Sequence, residues 1–161
     1  MSEEAGNVVS TESETKQEIE IPRPEVSRQR KIVLAAGKRK TAIARAVIMP
    51  GTGIVRINGR RLEAIENPWV RAIIEEPLLL IGPLRNKINI KVRVHGGGVS
   101  GQAQAARIAI ARAIVRYFND PRIEELFKQY DRYMLVGDPR RKEMKKFGGP
   151  GARARFQTSY R

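Results

Sequence analysis

The chain contains no cysteine and only one histidine among its 161 residues. The absence of thiols excludes disulfides and thiolate-bound metals, and a single histidine leaves too few ligands for a structural zinc site. No apolar run approaches the ~18 residues that a membrane-spanning helix needs. The glutamate-rich amino terminus has no apolar stretch, so we expect no secretory signal. These absences favour a cytoplasmic protein with no cofactor, no metal and no membrane partner.

Acidic residues are also scarce, since 17 Asp and Glu stand against 31 Lys and Arg and give a net charge of +14. A polypeptide this basic is typical of nucleic-acid binding. The acids cluster at the start, where residues 1–20 hold six Glu and one Lys. We therefore expect residues 1–28 to be an acidic, disordered extension, residues 29–133 a globular domain, and residues 134–161 a basic carboxy-terminal tail.

The first half of the globular domain predicts strands. Residues 32–36 are apolar, and residues 41–49 alternate in the way a half-buried strand does. Pro50-Gly51-Thr52-Gly53 predicts a turn into a short strand at 54–57, so we expect a hairpin between these last two strands. Asn67-Pro68 is typical of a helix start, and this helix either ends near Pro77 or continues to Ile81. We expect its Trp69 to be either a core residue or a packing anchor, and not a platform for a base.

The second half gives the clearest patterns. Residues 88–95 read INIKVRVH, with apolar residues on one face and polar residues on the face that is either wet or touches RNA. Residues 102–118 predict a long alanine-rich helix, in which the small Ala105 and Ala109 allow another surface to come close. Asp120-Pro121 starts a further helix. The element order predicts an α+β protein with a small mixed sheet and helices packed on one face.

A glycine-rich loop, GGGVSGQ at 96–102, joins the clearest strand to the long helix. Glycine permits positive φ and close backbone approach, Ser100 is a candidate N-cap, and a helix amino terminus attracts anions. Three interpretations stay open: a structural turn, an RNA phosphate site, or a nucleotide phosphate site. The spacing matches neither a P-loop nor a dinucleotide-binding motif. His95 precedes the loop but has no acid or nucleophile partner that indicates catalysis.

The tail carries eight Lys or Arg against two acids, and Phe147, Phe156 and Tyr160 are interspersed among them. Cations reach phosphates and aromatic rings stack on bases, so we expect the tail to run along RNA. The alternatives are a free RNA chaperone, a ribonuclease P-like RNA-binding subunit, or a small-molecule kinase that uses the glycine loop for ATP. The short chain and the lack of a well-placed acid for magnesium count against the kinase.

Three separated segments then resemble one known family, that of the ninth universal protein of the small ribosomal subunit, in its archaeal form. They are GKRKTAIARAVIMPGTGIVRING at 37–59, GGGVSGQAQAARIAIARAIVRY at 96–117 and DPRRKEMKKFGGPGARARFQTSYR at 138–161. The resemblance covers about residues 30–161. It implies a four-stranded sheet with helices on one face, in the fold named after the second domain of the fifth small-subunit protein. This fold includes a left-handed βαβ crossover. It also implies a structural role in the subunit head and no enzymatic activity.

The resemblance also implies the partners: small-subunit rRNA, neighbouring head proteins, and the peptidyl-site (P-site) tRNA, which the extended tail reaches near the anticodon. With the basic tail, it predicts rRNA contacts at Lys38, Arg39, Lys40, Gly97, Gly98, Ser100, Gly101, Arg107, Arg140, Arg141, Lys145 and Lys146. Contacts to tRNA are predicted at Arg153, Arg155, Gln157, Ser159, Tyr160 and Arg161. One departure is that Tyr160 precedes Arg161 where many bacterial members have Lys or Arg, so stacking or hydrogen bonding replaces an ionic contact there.

Overall fold

A computed structural model describes residues 31–159 of the chain. The predicted acidic extension, 1–28, and the terminal residues Tyr160 and Arg161 lie outside the described residues. The strands are β1 (Val33–Arg39), β2 (Ala42–Pro50), β3 (Val55–Ile57), β4 (Arg60–Arg61) and β5 (Ile88–His95). The α-helices are α1 (Pro68–Leu80), α2 (Val99–Phe118) and α3 (Pro121–Tyr130).

Local capping explains where two of the helices begin. The side chain of Asn67 accepts hydrogen bonds from the backbone N–H groups of Trp69 and Val70, at 3.0 and 3.4 Å, and Pro68 occupies the first helical position. Asp120 accepts in the same way from Arg122 N, at 2.9 Å, ahead of Pro121. Both starts were predicted, because a short polar side chain followed by proline satisfies the free donors of a first turn.

The strands form one mixed sheet in the order β1-β2-β5-β3-β4. β1, β2 and β5 pair antiparallel, whereas β3 pairs parallel with β5. The α+β class is therefore confirmed. The sheet has five strands and not four, since the two-residue β4 adds to the edge after the Asn58–Gly59 turn.

The predicted hairpin between the second and third strands is wrong, because β5 lies between them. The Pro50–Gly53 segment is instead a loop that crosses the start of β5. Asn89 of β5 fastens it, since its Oδ1 accepts hydrogen bonds from Thr52 N and Ile54 N, each at 2.9 Å. The chain does turn at this segment, as its sequence predicts. The turn carries the chain from β2 across β5 to β3, so that β3 does not pair with β2.

One face of the sheet is buried under α2. The register places Ala44 opposite Val94 and Ala46 opposite Val92, and all four are buried. The predicted alternation of β5 is confirmed, because its four apolar residues are buried while Lys91, Arg93 and His95 are exposed. Burial of such a face is the main stabilising contribution to a small domain.

Helix α2 lies unusually close to β1. A Cβ placed on Gly37 would overlap the backbone oxygen of Ala105 and lie 2.5 Å from the backbone nitrogen of Ala109. Ala105 and Ala109 are fully buried. The small side chains of α2 therefore let the sheet come close, as predicted, and the point of closest approach is Gly37 within β1.

Two arginines of α2 cover outward carbonyls of β1, the strand at the edge of the sheet. Arg112 donates to Ala36 O at 2.9 Å, and Arg116 donates to Leu34 O at 3.1 Å. Unpaired edge groups are templates for association with other strands. These contacts occupy part of that edge and tie the helix to it.

The structure also shows where α1 ends and whether its Trp69 is buried. The helix continues beyond Pro77 to Leu80. Trp69 is 56% exposed, so its prediction as a core residue is wrong. Within residues 31–159, none of the helices combines the length and apolar composition that crossing a membrane requires.

Candidate nucleic-acid interface

A pocket of about 360 Å³ lies where the β1–β2 turn meets the glycine loop and the start of α2. We call it the loop pocket. It is lined by Arg39, Lys40, Thr41, Gly97, Gly98, Val99, Ser100, Gly101 and Gln104. The structure thus brings together two segments that are separated by more than fifty residues in the sequence, both of them predicted to contact rRNA.

Two glycines of the loop are required by its geometry. Gly96 and Gly97 have φ angles of 76° and 65°, in the left-handed region that other residues rarely adopt. A Cβ on Gly96 would lie 2.6 Å from Thr41 O, and one on Gly97 would lie 3.1 Å from Ala42 N. The glycines therefore let the loop pack directly on the β1–β2 turn, which forms one wall of the pocket.

The amino terminus of α2 opens into this pocket, and no side chain of the described residues caps it. Gly98 is the N-cap residue, and no acidic residue occupies the first turn. The predicted N-cap at Ser100 is wrong, because the helix begins at Val99 and Ser100 lies one position further inside it. Uncapped N–H groups at a helix start carry partial positive charge, so this end of α2 attracts an anion.

Among residues 31–159, those that line the loop pocket include cations and no carboxylate. Lys40 is exposed and has a φ of 52°, which places it at the tip of the two-residue β1–β2 turn. Arg39 is less free, since its guanidinium forms an ion pair with Asp138 of the tail. The residues of the pocket can hold a phosphate, but they offer no acid that would serve as a general base or a magnesium ligand.

Two of the predicted contact residues in the globular domain lie away from the loop pocket. Lys38 is placed opposite Ile43 with its side chain on the other face of the sheet. Arg107 lies between the helices, where NH1 donates to Asp131 at 2.7 Å and Nε lies 2.5 Å from Glu76 Oε2. With a side chain only 16% exposed, Arg107 links α2 to α1 and to the end of α3.

The beginning of the tail is fastened to the globular domain beside the loop pocket. Met134 is fully buried, and Arg112 donates to Leu135 O at 2.7 Å. The Asp138 side chain is only 2% exposed and contacts both Arg39 and Arg140. These contacts direct the tail past the same basic turn that lines the pocket.

From Leu135 to Ser159 the tail contains no helix or strand. It is not extended throughout, because a turn at 147–153 brings Arg153 onto Glu143 with hydrogen bonds of 2.9 and 3.1 Å. This contact lowers the pKa of Glu143 below its ordinary value. In the described part of the tail, which ends at Ser159, each predicted contact residue is exposed: Arg140, Arg141, Lys145, Lys146, Arg153, Arg155, Gln157 and Ser159.

Sequence reasoning missed several residues that build this region. Thr41 and Gln104 line the loop pocket, and Arg112 and Asp138 position the tail. An aspartate inside a strongly basic segment was a usable signal for Asp138, since an isolated acid there has cations as its nearest partners. Nothing local marked Arg112, whose acceptors are backbone carbonyls distant in sequence.

An α+β domain with a cationic pocket at a helix start, and with a basic tail fastened next to it, is typical of RNA-binding proteins. Comparison with known proteins agrees with that class. Residues 37–161 match the family model described as ribosomal protein S9/S16. The chain therefore belongs to the S9 family of ribosomal proteins.

Curated relatives support the same assignment. The chain is 56% identical over 131 residues to a protein of Desulfurococcus amylolyticus, and the match covers 81% of this chain and 94% of that protein. It is 50% identical over 131 residues to a protein of Pyrobaculum aerophilum, and this match covers 81% of this chain and 92% of that protein. It is 54% identical over 129 residues to a protein of Thermoplasma acidophilum, covering all of that protein and 80% of this chain. Each is named small ribosomal subunit protein uS9, and all three come from archaea. Members of this family are structural proteins of the ribosome and not enzymes, and as such they reside in the cytoplasm.

Proposed function

We propose that this chain is a structural constituent of the small ribosomal subunit head, where it binds small-subunit rRNA and contacts neighbouring head proteins. Family membership over residues 37–161 is the observation that carries the proposal. The loop pocket supports it, since Lys40 and the uncapped start of α2 face one cavity, and no acid of the described chain, 31–159, lines that cavity. We place an rRNA phosphate in this pocket.

The remaining predicted residues have different roles in this proposal. Arg140, Arg141, Lys145 and Lys146 contact rRNA along the course of the tail, while Lys38 contacts it from the other face of the sheet. Arg107 supports the interface through its helix contacts. Residues 1–28 form the acidic extension, and the β3–α1–β5 connection has the left hand that the resemblance implies.

The full-length protein is expected to bind a transcript of small-subunit rRNA with strongly salt-dependent affinity. Each neutralised phosphate contributes a slope of about −0.7 in single strands and −0.9 in duplexes to log K against log salt. Filter binding over a salt series measures this slope, and sedimentation of cell extracts tests whether the chain sits stoichiometrically in small subunits. An affinity that does not change with salt, or a chain found mainly in the free pool, would contradict the rRNA-binding role and favour a free chaperone.

We also propose that the tail end reaches the anticodon region of the P-site tRNA. The support is the exposure of Arg153, Arg155, Gln157 and Ser159, together with the fastening of the tail to the domain at Asp138. Arg161 at the terminus supplies a guanidinium that can form two hydrogen bonds to a phosphate or stack on a base.

Small subunits that carry a chain lacking residues 157–161 are expected to hold P-site tRNA about ten- to a hundredfold more weakly, because a hydrogen bond to a charged group contributes about 1.5–3 kcal/mol. Subunit assembly should be normal, since the fastening contacts of the tail lie at 134–140. The measurement is equilibrium tRNA binding to purified subunits, with the neighbouring aminoacyl site of the same particles as the internal control. Equal P-site affinity in truncated and intact subunits would remove this role.

A further inference from the structure

Within the part of the chain that the structure describes, residues 31–159, no element covers the face of the sheet opposite the helices, and we call it the open face. Its residues alternate with the buried ones along β1, β2, β3 and β5. Its members are Leu34, Ala36, Lys38, Ile43, Arg45, Val47, Met49, Arg56, Asn89, Lys91, Arg93 and His95. The side chains of Leu34, Arg45, Arg56, Lys91 and Arg93 are exposed.

Like charges lie directly opposite one another on the open face. Arg45 of β2 is paired with Arg93 of β5, and Arg56 of β3 is paired with Lys91 of β5. Cross-strand pairs of like charge are destabilising in a free sheet. None of the residues of the open face is acidic, and within residues 31–159 none of these four cations forms an ion pair with a carboxylate. A negatively charged partner bound to this face would therefore relieve the repulsion between the paired cations.

Apolar surface lies beside these cations. Leu34 is 65% exposed and is placed opposite Val47. At one end of the face, a pocket of about 210 Å³ is lined by Met49, Ile54, Arg56, Asn89, Ile90 and Lys91. An apolar wall next to two cations fits an unstacked base followed by its phosphate, which is how proteins recognise single-stranded or looped RNA.

We propose that the open face binds a second segment of small-subunit rRNA, separate from the one at the loop pocket, and this rests on the function proposed above. Phosphates of a looped strand lie along the row formed by Arg45, Arg93 and Lys91, and one base enters the pocket beside Met49. Two observations favour RNA over a protein partner. The open face is positively charged, and one pocket combines apolar and cationic groups, which suits a base and its phosphate.

The test is the double variant Arg45→Gln/Arg93→Gln in the full-length chain, with a transcript of small-subunit rRNA as the probe. Loss of two phosphate contacts is expected to weaken binding at least tenfold and to reduce the salt slope by about 1.4 to 1.8. The matched control is Arg122→Gln/Arg132→Gln, which removes two exposed arginines near α3 and the same net charge. This control is expected to weaken binding less than about threefold, because it changes only the long-range field.

Thermal unfolding of the RNA-free protein tests whether a loss of RNA affinity comes from a loss of folded structure. Relief of the Arg45–Arg93 repulsion is expected to leave the melting temperature unchanged or raise it. An affinity loss equal to that of the control would overturn the proposal. So would tighter binding by the double variant, which would show that the acidic residues 1–20 occupy the face and compete with RNA. Failure of the unaltered chain to bind the transcript would instead remove the proposed function itself.

Discussion

Gly37→Ala is expected to lower the free energy of unfolding of the globular domain by about 3 to 5 kcal/mol. The new methyl group would overlap the backbone of α2 at Ala105 and Ala109, and backbone atoms cannot move aside as a flexible side chain can. The helix must therefore separate from β1, which opens the packing of the largest helix on the sheet. Chemical denaturation of the full-length protein, followed by circular dichroism, measures the change.

Gly101→Ala is the matched control. A Cβ there would meet the Ala42 Cβ at 3.6 Å, which is an ordinary contact, and the position lies in the first turn of α2. Alanine favours helices over glycine, so stability should be unchanged or raised by up to about 1 kcal/mol. If Gly37→Ala destabilised the protein no more than Gly101→Ala, then α2 would not approach β1 as closely as the structure has it.

Much of the local structure was predictable from short segments of sequence. Asn67-Pro68 and Asp120-Pro121 determine their own helix starts, because the capping side chain and the proline lie next to the groups that they satisfy. The alternation at 88–95 predicted which residues of β5 face the core, since a strand has only two faces. Ala105 and Ala109 predicted a close approach to α2.

The position of β5 between β2 and β3 was not predictable from these patterns. Nothing in residues 50–57 shows that a strand more than thirty residues later will separate the two segments that the turn joins. The residue that could have indicated this arrangement is Asn89, whose side chain accepts hydrogen bonds from the loop at Thr52 and Ile54. A single asparagine in a strand, however, forms no recognisable sequence pattern. Pairing over long sequence distances depends on packing of the whole sheet, and local propensity does not report it.

The candidate site was predicted as a set of residues but not as an arrangement. Lys38, Arg39 and Lys40 are consecutive and were all predicted to contact rRNA, yet the hairpin register places Lys38 and Arg39 on opposite faces of the sheet. Arg107 follows the glycine loop closely in sequence, but the helix directs it toward Glu76 and Asp131. In both cases the period of the secondary structure, and not proximity in sequence, decides which side chains meet.

Ser100→Asp is expected to weaken rRNA binding at least tenfold while the free protein stays as stable or becomes more so. The residue is exposed in the first turn of α2 and lines the loop pocket. A carboxylate there interacts favourably with the helix dipole, which adds about 0.3–1 kcal/mol to helix stability. The same carboxylate would lie close to any bound phosphate, and two like charges about 4 Å apart repel by several kcal/mol near a protein surface.

The two effects have opposite signs, so the variant separates a binding role from a structural one. Ser100→Asn provides the matched control, because asparagine has nearly the shape of aspartate without its charge, and its affinity should stay within about threefold of the unaltered chain. Filter binding with the rRNA transcript gives the affinities, and thermal unfolding gives the stabilities. If Asp and Asn at position 100 bound rRNA equally well, the loop would be a turn that seats α2 and the phosphate would bind elsewhere. If only Asp abolished binding, the uncapped helix start would be established as the anion site, because neither loss of fold nor change of shape could account for the difference.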